Sequence, residues 1–145
     1  MTSYRDLPAR IQRGELQPPP IAKLLGFTLT QIEPGKATIE MTADGRHANP
    51  MGTLHGGVLC DITDAAMGMA LASTLEDGET FTTLELKINF LKPVWNSKLK
   101  AVGLLVKRGK TICLGQSDVT DEKDQLVARA TCTMMVLRGD QAQGR

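Results

Sequence analysis

Apolar and polar side chains alternate along "TFTTLELKINFLKPV": Leu84, Leu86, Ile88 and Phe90 fall at one phase, Thr83, Glu85, Lys87 and Asn89 at the other. A period of two predicts a strand with one covered face. Upstream the period changes. From near Leu54 to Leu75, the residues Val58, Leu59, Ile62, Ala65, Ala66, Met69 and Ala70 recur at threes and fours, which predicts a helix of about twenty residues. Gly56, Gly57, Gly68 and Ala72 keep the rest of its surface thin, so it can be closely surrounded, and Glu76-Asp77-Gly78 ends it.

Shorter segments complete the pattern. "FTLTQIE" and "KATIEMTA" read as a strand pair around the Pro34-Gly35 turn, after a helical turn in "IAKLLGF" that Gly26 stops. "KLKAVGLLVKR" and "TICLGQSDVTD" pair across Gly109-Lys110, and "QLVARATCTMMVL" follows the polar turn from Asp121 to Asp124. One long helix preceded by a hairpin and followed by a meander predicts an α+β fold, an antiparallel sheet wrapped on the helix. Residues 1–20, closed by Pro18-Pro19-Pro20, are expected to form an extended, partly helical arm. Residues 21–138 are the expected folded domain, and residues 139–145 a polar tail.

Composition narrows the function classes. A chain of 145 residues suits one domain. Seventeen basic and sixteen acidic residues are interspersed, the net charge is +1 and aromatic residues make up 3%, which argues against nucleic acid as a partner. Small anionic ligands remain open. Cys60, Cys113 and Cys132 are far apart among apolar neighbours, as expected of free buried thiols in a reducing compartment. With only His47 and His55 to join them, and no CxxC or HxxxH spacing, no metal is expected. Neither a signal-peptide core nor a run of about eighteen apolar residues is present, so a soluble, cytoplasmic protein without a membrane partner is expected. The absence of GxSxG, P-loop and GxGxxG patterns removes serine triads, nucleoside triphosphates and dinucleotide cofactors as simple explanations.

The chemistry concentrates in "HANPMGTLHGGVLCDITDAAMGMALAS". A helix's first turn leaves backbone N–H groups without partners, which with the helix dipole favour developing negative charge. Gly56 and Gly57 sit there and lack a Cβ, so a ligand carbonyl can approach the backbone. A tight loop-to-helix junction explains the same glycines equally well. Asp64 lies eight residues beyond Gly56, roughly 12 Å along a helix axis. One chain cannot bring both to a single carbonyl. Two helices packed antiparallel about a two-fold axis can, and the thin surface at Ala65, Gly68 and Ala72 permits that approach.

No basic residue occurs between Arg46 and Lys87, so nothing on the helix pairs with Asp64 among its small apolar neighbours. Such a carboxylate suits a general base or a nucleophile. Asp61, one turn earlier, is barely separable from it. His55 serves either as a cap or to orient a substrate carbonyl; Asn49 fits a turn before Pro50, and His47 reads as loop surface. Lys107, Arg108 and Lys110 cluster at a hairpin turn, a solvated turn or a holder of phosphates. Met51, Met67, Met69 and Leu71 offer an adaptable apolar pocket.

The run "NPMGTLHGGVLCDITDAAMGMA" resembles the hotdog-fold acyl-CoA thioesterases, specifically the PaaI-like group related to phenylacetyl-CoA and 4-hydroxybenzoyl-CoA thioesterases. The resemblance spans Pro20 to Leu137 and includes "INFLKPV" and "VTDEKDQLVARATCTMMV". It implies an acyl-CoA substrate, no cofactor, and subunits joined into a continuous sheet with active sites between them. A homodimer is then the minimal active unit, and a homotetramer the expected assembly. By resemblance, Gly56 N–H polarises the thioester carbonyl, while His55 and Asn49 orient loop and substrate. Asp64 of the partner subunit acts on water or as nucleophile, and Thr83 helps position the water. Gly57, Met51 and Met67 are the expected substrate contacts, with Lys107, Arg108 and Lys110 towards the CoA phosphates. The family signature does not call for Asp61. Hotdog hydratases carry a histidine five residues after the catalytic Asp, where this chain has Ala66 or Met69. The remaining alternative is a non-catalytic acyl-CoA-binding or regulatory protein.

Overall fold

The structure, a computed structural model, describes residues 3–144; Met1 and Thr2 of the expected arm and Arg145 of the expected tail lie outside the described residues. Two short helices, α1 (Leu7–Gln12) and α2 (Pro20–Leu25), lead into the hairpin β1 (Phe27–Glu33) and β2 (Lys36–Ala43). A loop with a 3-10 turn at Gly45–His47 delivers the long helix α3 (Gly56–Ala72). Then come β3 (Thr80–Phe90), β4 (Ser97–Arg108), β5 (Ile112–Thr120) and β6 (Leu126–Leu137). A second 3-10 turn at Gly139–Ala142 gives the expected tail some structure.

All six strands form one antiparallel sheet in the order β1-β2-β4-β5-β6-β3. The expected hairpin and helix are present, but the strand after the helix does not pair with its successor. It crosses to the far edge beside β6, leaving β4-β5-β6 as the meander and β1 and β3 as the two edges.

The helix is shorter than its apolar period at both ends. Leu54 is held outside it by a bridge to Ala48, and His55 caps it, with Nδ1 accepting Gly57 N–H at 2.9 Å. At the other end Ser73 Oγ accepts Gly35 N–H at 2.9 Å, pinning the helix terminus to the β1–β2 turn. Val58, Leu59, Ile62, Ala66 and Ala70 bury one face of α3 against Ile39, Leu99, Ala101 and Val119. Gly103 on β4 makes that approach possible: a Cβ there would sit 2.3 Å from the Ala66 carbonyl carbon. A side chain at that position would lift the helix off the sheet, opening a close-packed core.

A second cluster gathers Met67, Leu71, Leu75, Cys113, Cys132, Met134 and Val136 with Phe81, Leu86 and Ile88 of β3. Along β3 the register slips between Thr83 and Glu85. This bulge shifts the inward phase by one residue, so Phe81 and Thr83 face the helix before it and Leu86 and Ile88 after it. Leu84, expected on the covered face, is the bulged residue and stands 54% exposed. Gly68 and Ala72 are buried too: the Phe81 ring lies over Gly68 and Ala72 belongs to the second cluster, so neither offers a surface to a partner helix.

His47 is also corrected from loop surface to interior. It is buried, its Nδ1 accepts Asp44 N–H at 3.1 Å, and its Nε2 stands 2.9 Å from the Leu25 carbonyl. That pattern fixes the tautomer with Nε2 protonated. Of the three free cysteines, Cys113 and Cys132 are buried and Cys60 is half-buried. Among the described residues no helix is long and apolar enough to cross a membrane.

Candidate active site

The loop before α3 is organised by Asn49. Its Oδ1 accepts Met51 N–H at 2.9 Å and Thr53 N–H at 3.2 Å, its Nδ2 donates to Thr53 Oγ1 at 2.8 Å, and Asn49 N–H donates to the Thr53 carbonyl at 2.7 Å. Both ends of the amide are committed within the loop, so Asn49 shapes it and does not reach out of it. Leu54 N–H to the Val94 carbonyl at 2.7 Å and His55 N–H to the His47 carbonyl at 2.9 Å fix the following residues. The chain therefore enters α3 along a set path.

Gly56, the first residue of the helix, is half-buried, and no described residue accepts its N–H. Its missing Cβ has a reason the sequence pattern does not show. A Cβ at Gly56 would lie 2.7 Å from Phe90 Cζ, so the ring of β3's last residue packs directly on this backbone. Gly57 differs from expectation. Its N–H is taken by His55 Nδ1, which leaves it as a cap contact and removes it as a donor to substrate.

Two turns further along, Asp64 is half-buried on the side of α3 turned away from β4, and its Oδ1 accepts the Thr83 hydroxyl at 2.9 Å. Asp61 and Asp64 both border a cavity of about 400 Å³ between α3, the β1–β2 hairpin and the amino-terminal arm. No described residue hydrogen-bonds the Asp61 carboxyl. Burial and, secondarily, the Asp64 charge push Asp61 up from the ordinary 3.8.

Other expected contacts lie elsewhere. Met67 is fully buried, its Cβ in the second cluster against Gly115, so it does not line the cavity; Met69 does. Met51 is 82% exposed at the tip of the Asn49 loop. Lys107, Arg108 and Lys110 sit on the β4–β5 hairpin beside the carboxyl end of α3, where Arg108 Nε donates to Thr74 Oγ1 at 3.2 Å. Seventeen residues of helix separate that end from Gly56, about 25 Å. Arg108 is further committed by its ion pair with the buried Glu79 at 2.7 Å, and Arg138 binds the other Glu79 oxygen. The guanidinium of Arg108 thus holds the fold together and is not free for a phosphate. Nothing in the sequence pattern distinguishes Glu79, and the alternation that assigns Phe90 to the covered face of its strand does not show that its ring packs on Gly56; both roles are legible only from what packs on these residues.

A single long helix gripped by a six-stranded antiparallel sheet, with a carboxylate on the helix and an open N–H at its first turn, defines a protein of the hotdog class. The chain belongs to the thioesterase superfamily, whose family model matches residues 51–128, from the Asn49 loop to β6. It is similar to a Saccharolobus solfataricus protein named as an esterase, 30% identical over 118 residues that cover 81% of this chain and 84% of that one. Human acyl-coenzyme A thioesterase 13 is 31% identical over 102 residues, 69% of this chain and 72% of the relative. Among solved structures, a phenylacetic acid degradation-related protein from Ralstonia eutropha JMP134, described as a thioesterase, is 32% identical with a TM-score of 0.81. That match covers 88% of this chain and 98% of the other. The protein is a PaaI-like thioester hydrolase.

Proposed function

We propose that the protein hydrolyses the thioester of aryl or short- to medium-chain acyl-CoA, releasing the free acid and CoA, with each active site built from two chains. The single observation that carries this reading is the Asp64 carboxylate, oriented by Thr83 and placed at the wall of an apolar cavity. Human acyl-coenzyme A thioesterase 13, by its name, supports CoA as the carrier. Gly56 N–H polarises the thioester carbonyl, and Asp64 of the partner subunit completes the site because the two lie too far apart in one chain. With Oδ1 held by Thr83, Oδ2 takes the proton of a water that attacks the carbonyl carbon. The oxyanion collects at Gly56 N–H; its collapse breaks the carbon–sulfur bond, and the leaving thiolate takes up the proton. Asp64 as nucleophile is the competing route, distinguished by labelled water in a single turnover, which would place the label on Asp64.

His55 and Asn49 fix the donor loop, Met51 caps the entry, and Lys107 and Lys110 remain available to phosphates across the assembly. The exposed Leu104, Val106, Ile112 and Leu114 on the outer face of β4–β5 support a further pairing of dimers into a tetramer. The experiment is thiol release from phenylacetyl-CoA, benzoyl-CoA and a series of straight-chain acyl-CoAs by wild type, Asp64→Asn and Asp61→Asn. A general base contributes about 10²–10⁴-fold, so Asp64→Asn should lose that much while Asp61→Asn keeps turnover within about tenfold of wild type. A folded protein that binds CoA and turns over none of these thioesters overturns the reading.

A further inference from the structure

The geometry points to the amino-terminal arm as the closed end of the acyl chamber, with Leu16 and Ile11 setting how long an acyl chain the enzyme accepts. This inference rests on the thioesterase reading above. A carbonyl at Asp64 leaves its acyl tail few directions. Towards the sheet, Ile62 and Ala66 are completely buried. Towards β3, Thr83 holds the carboxylate and Phe81 covers Gly68. The remaining space beside Asp64 is the cavity that runs past Ala65 and Met69 over Phe27 and Leu29, and Ile11 and Leu16 of the arm form its opposite wall.

Its size and lining fit an acyl group. At about 400 Å³ it falls near the lower end of the range of roughly 300–1,000 Å³ seen for small-molecule sites. That holds an acyl tail and leaves the nucleotide outside. Among the described residues, the only charged side chains on the lining are Asp61 and Asp64. Two carboxylates on an otherwise uncharged wall favour neutral acyl groups and repel an acyl chain that ends in its own carboxylate.

The arm is a fixed wall. Pro8 is fully buried, Gln12 Nε2 donates to the Thr30 carbonyl of β1 at 3.4 Å, and Lys23 Nζ donates to Gln17 Oε1 at 2.9 Å. Pro18, Pro19 and Pro20 lock φ through the link to α2. These residues precede the segment matched by the family model, residues 51–128. Acyl-length selection is therefore assigned to a part of the chain separate from the one that carries the hydrolytic residues.

The test measures kcat/KM for even-numbered acyl-CoAs from butanoyl to hexadecanoyl, and for glutaryl-CoA, in wild type, Leu16→Ala and Leu16→Trp. Binding of the matching free fatty acids by calorimetry runs in parallel. Each methylene in an apolar pocket is worth about 10–200-fold in discrimination. Leu16→Trp should therefore lower the long-to-short ratio of kcat/KM by at least about tenfold, and Leu16→Ala should raise it, with glutaryl-CoA poor throughout. Length profiles that superimpose in all three proteins overturn the inference and leave the thioesterase reading standing. If no acyl-CoA is turned over, that reading falls, and the calorimetry still decides the chamber: decanoate affinity unchanged by both substitutions overturns it. Leu16→Ala keeps the test open should Leu16→Trp fail to fold.

Discussion

Thr83 Oγ1 lies 2.9 Å from Asp64 Oδ1, and the bulge at Leu84 places it there. Without the slip, the inward phase set by Leu86 and Ile88 would bring Leu84 under the helix and turn Thr83 outwards. The hydroxyl contact holds one carboxylate oxygen and leaves the other for water. Thr83→Ala should therefore lower kcat by about tenfold with KM little changed, because the lost contact orients the base and does not bind substrate. Thr83→Ser should recover most of the rate. A matching loss in Thr83→Ser, or a rise in KM alone, would point to strand packing as the role of Thr83.

Gly56 is subject to two demands at once. The N–H must stay open to a carbonyl, and Phe90 Cζ would be 2.7 Å from any Cβ. Gly56→Ala should displace the Phe90 ring and lower kcat/KM by about 10²-fold, the size of losing one oxyanion donor. Adding Phe90→Ala separates the demands. The double variant should regain thermal stability relative to Gly56→Ala and stay slow; full recovery of activity would mean that only the ring packing mattered.

How far the sequence reaches is clear from these residues. The helix, the hairpin, the β4–β5–β6 meander and the location of Asp64, Gly56 and His55 follow from periodicity and capping, which are local. Placement of β3 at the sheet edge does not, since strand order depends on a crossover rather than on the strand's own pattern. The Leu84 bulge is likewise invisible, because an alternating segment reads the same with or without a slipped register. Met67 and Met69 look alike in sequence, yet two positions on a helix differ by about half a turn, and one is core while the other faces the cavity. In sequence Arg108 reads with Lys107 and Lys110 as one hairpin-turn cluster, either solvated or a holder of phosphates. Its partner Glu79 is remote in sequence, and nothing local announces the ion pair.

That ion pair predicts a stability effect. Burial pushes the Glu79 carboxyl up, but the Glu76 N–H at 2.9 Å and the guanidiniums of Arg138 and Arg108 more than offset it, holding the group below its ordinary 4.5. A carboxylate with a lowered folded-state value stabilises the fold above the ordinary value, and the contribution is lost as pH falls through the lowered one. Glu79→Gln should cost about 2 kcal/mol at pH 7, since two partly exposed guanidiniums lose their common partner. For a chain of this size that is a Tm lower by about 5 °C. The gap between wild type and variant should narrow as pH falls below 4.5, while kcat for the preferred thioester stays within about twofold. A gap that is constant with pH would mean that shape, and not charge, is what Glu79 contributes.

Asp61 predicts the opposite sign. Burial at the cavity rim and the Asp64 charge raise its carboxyl above the ordinary 3.8. For a carboxylate shifted this way, ionisation costs stability: the fold is favoured below the unfolded-state value, and the advantage is lost as pH rises through the raised one. Asp61→Asn removes the ionisable group and should therefore raise the stability at pH 7, and Tm with it, by no more than about 0.5 kcal/mol of unfolding free energy at a largely exposed position. The difference from wild type should vanish near pH 3, where Asp61 is neutral in both states. A melting series from pH 3 to pH 8 reads this directly. If Asp61→Asn is instead less stable at pH 7, the ionised carboxylate has found a cationic partner in the assembled oligomer, and the residue belongs to the interface rather than to the rim of the chamber.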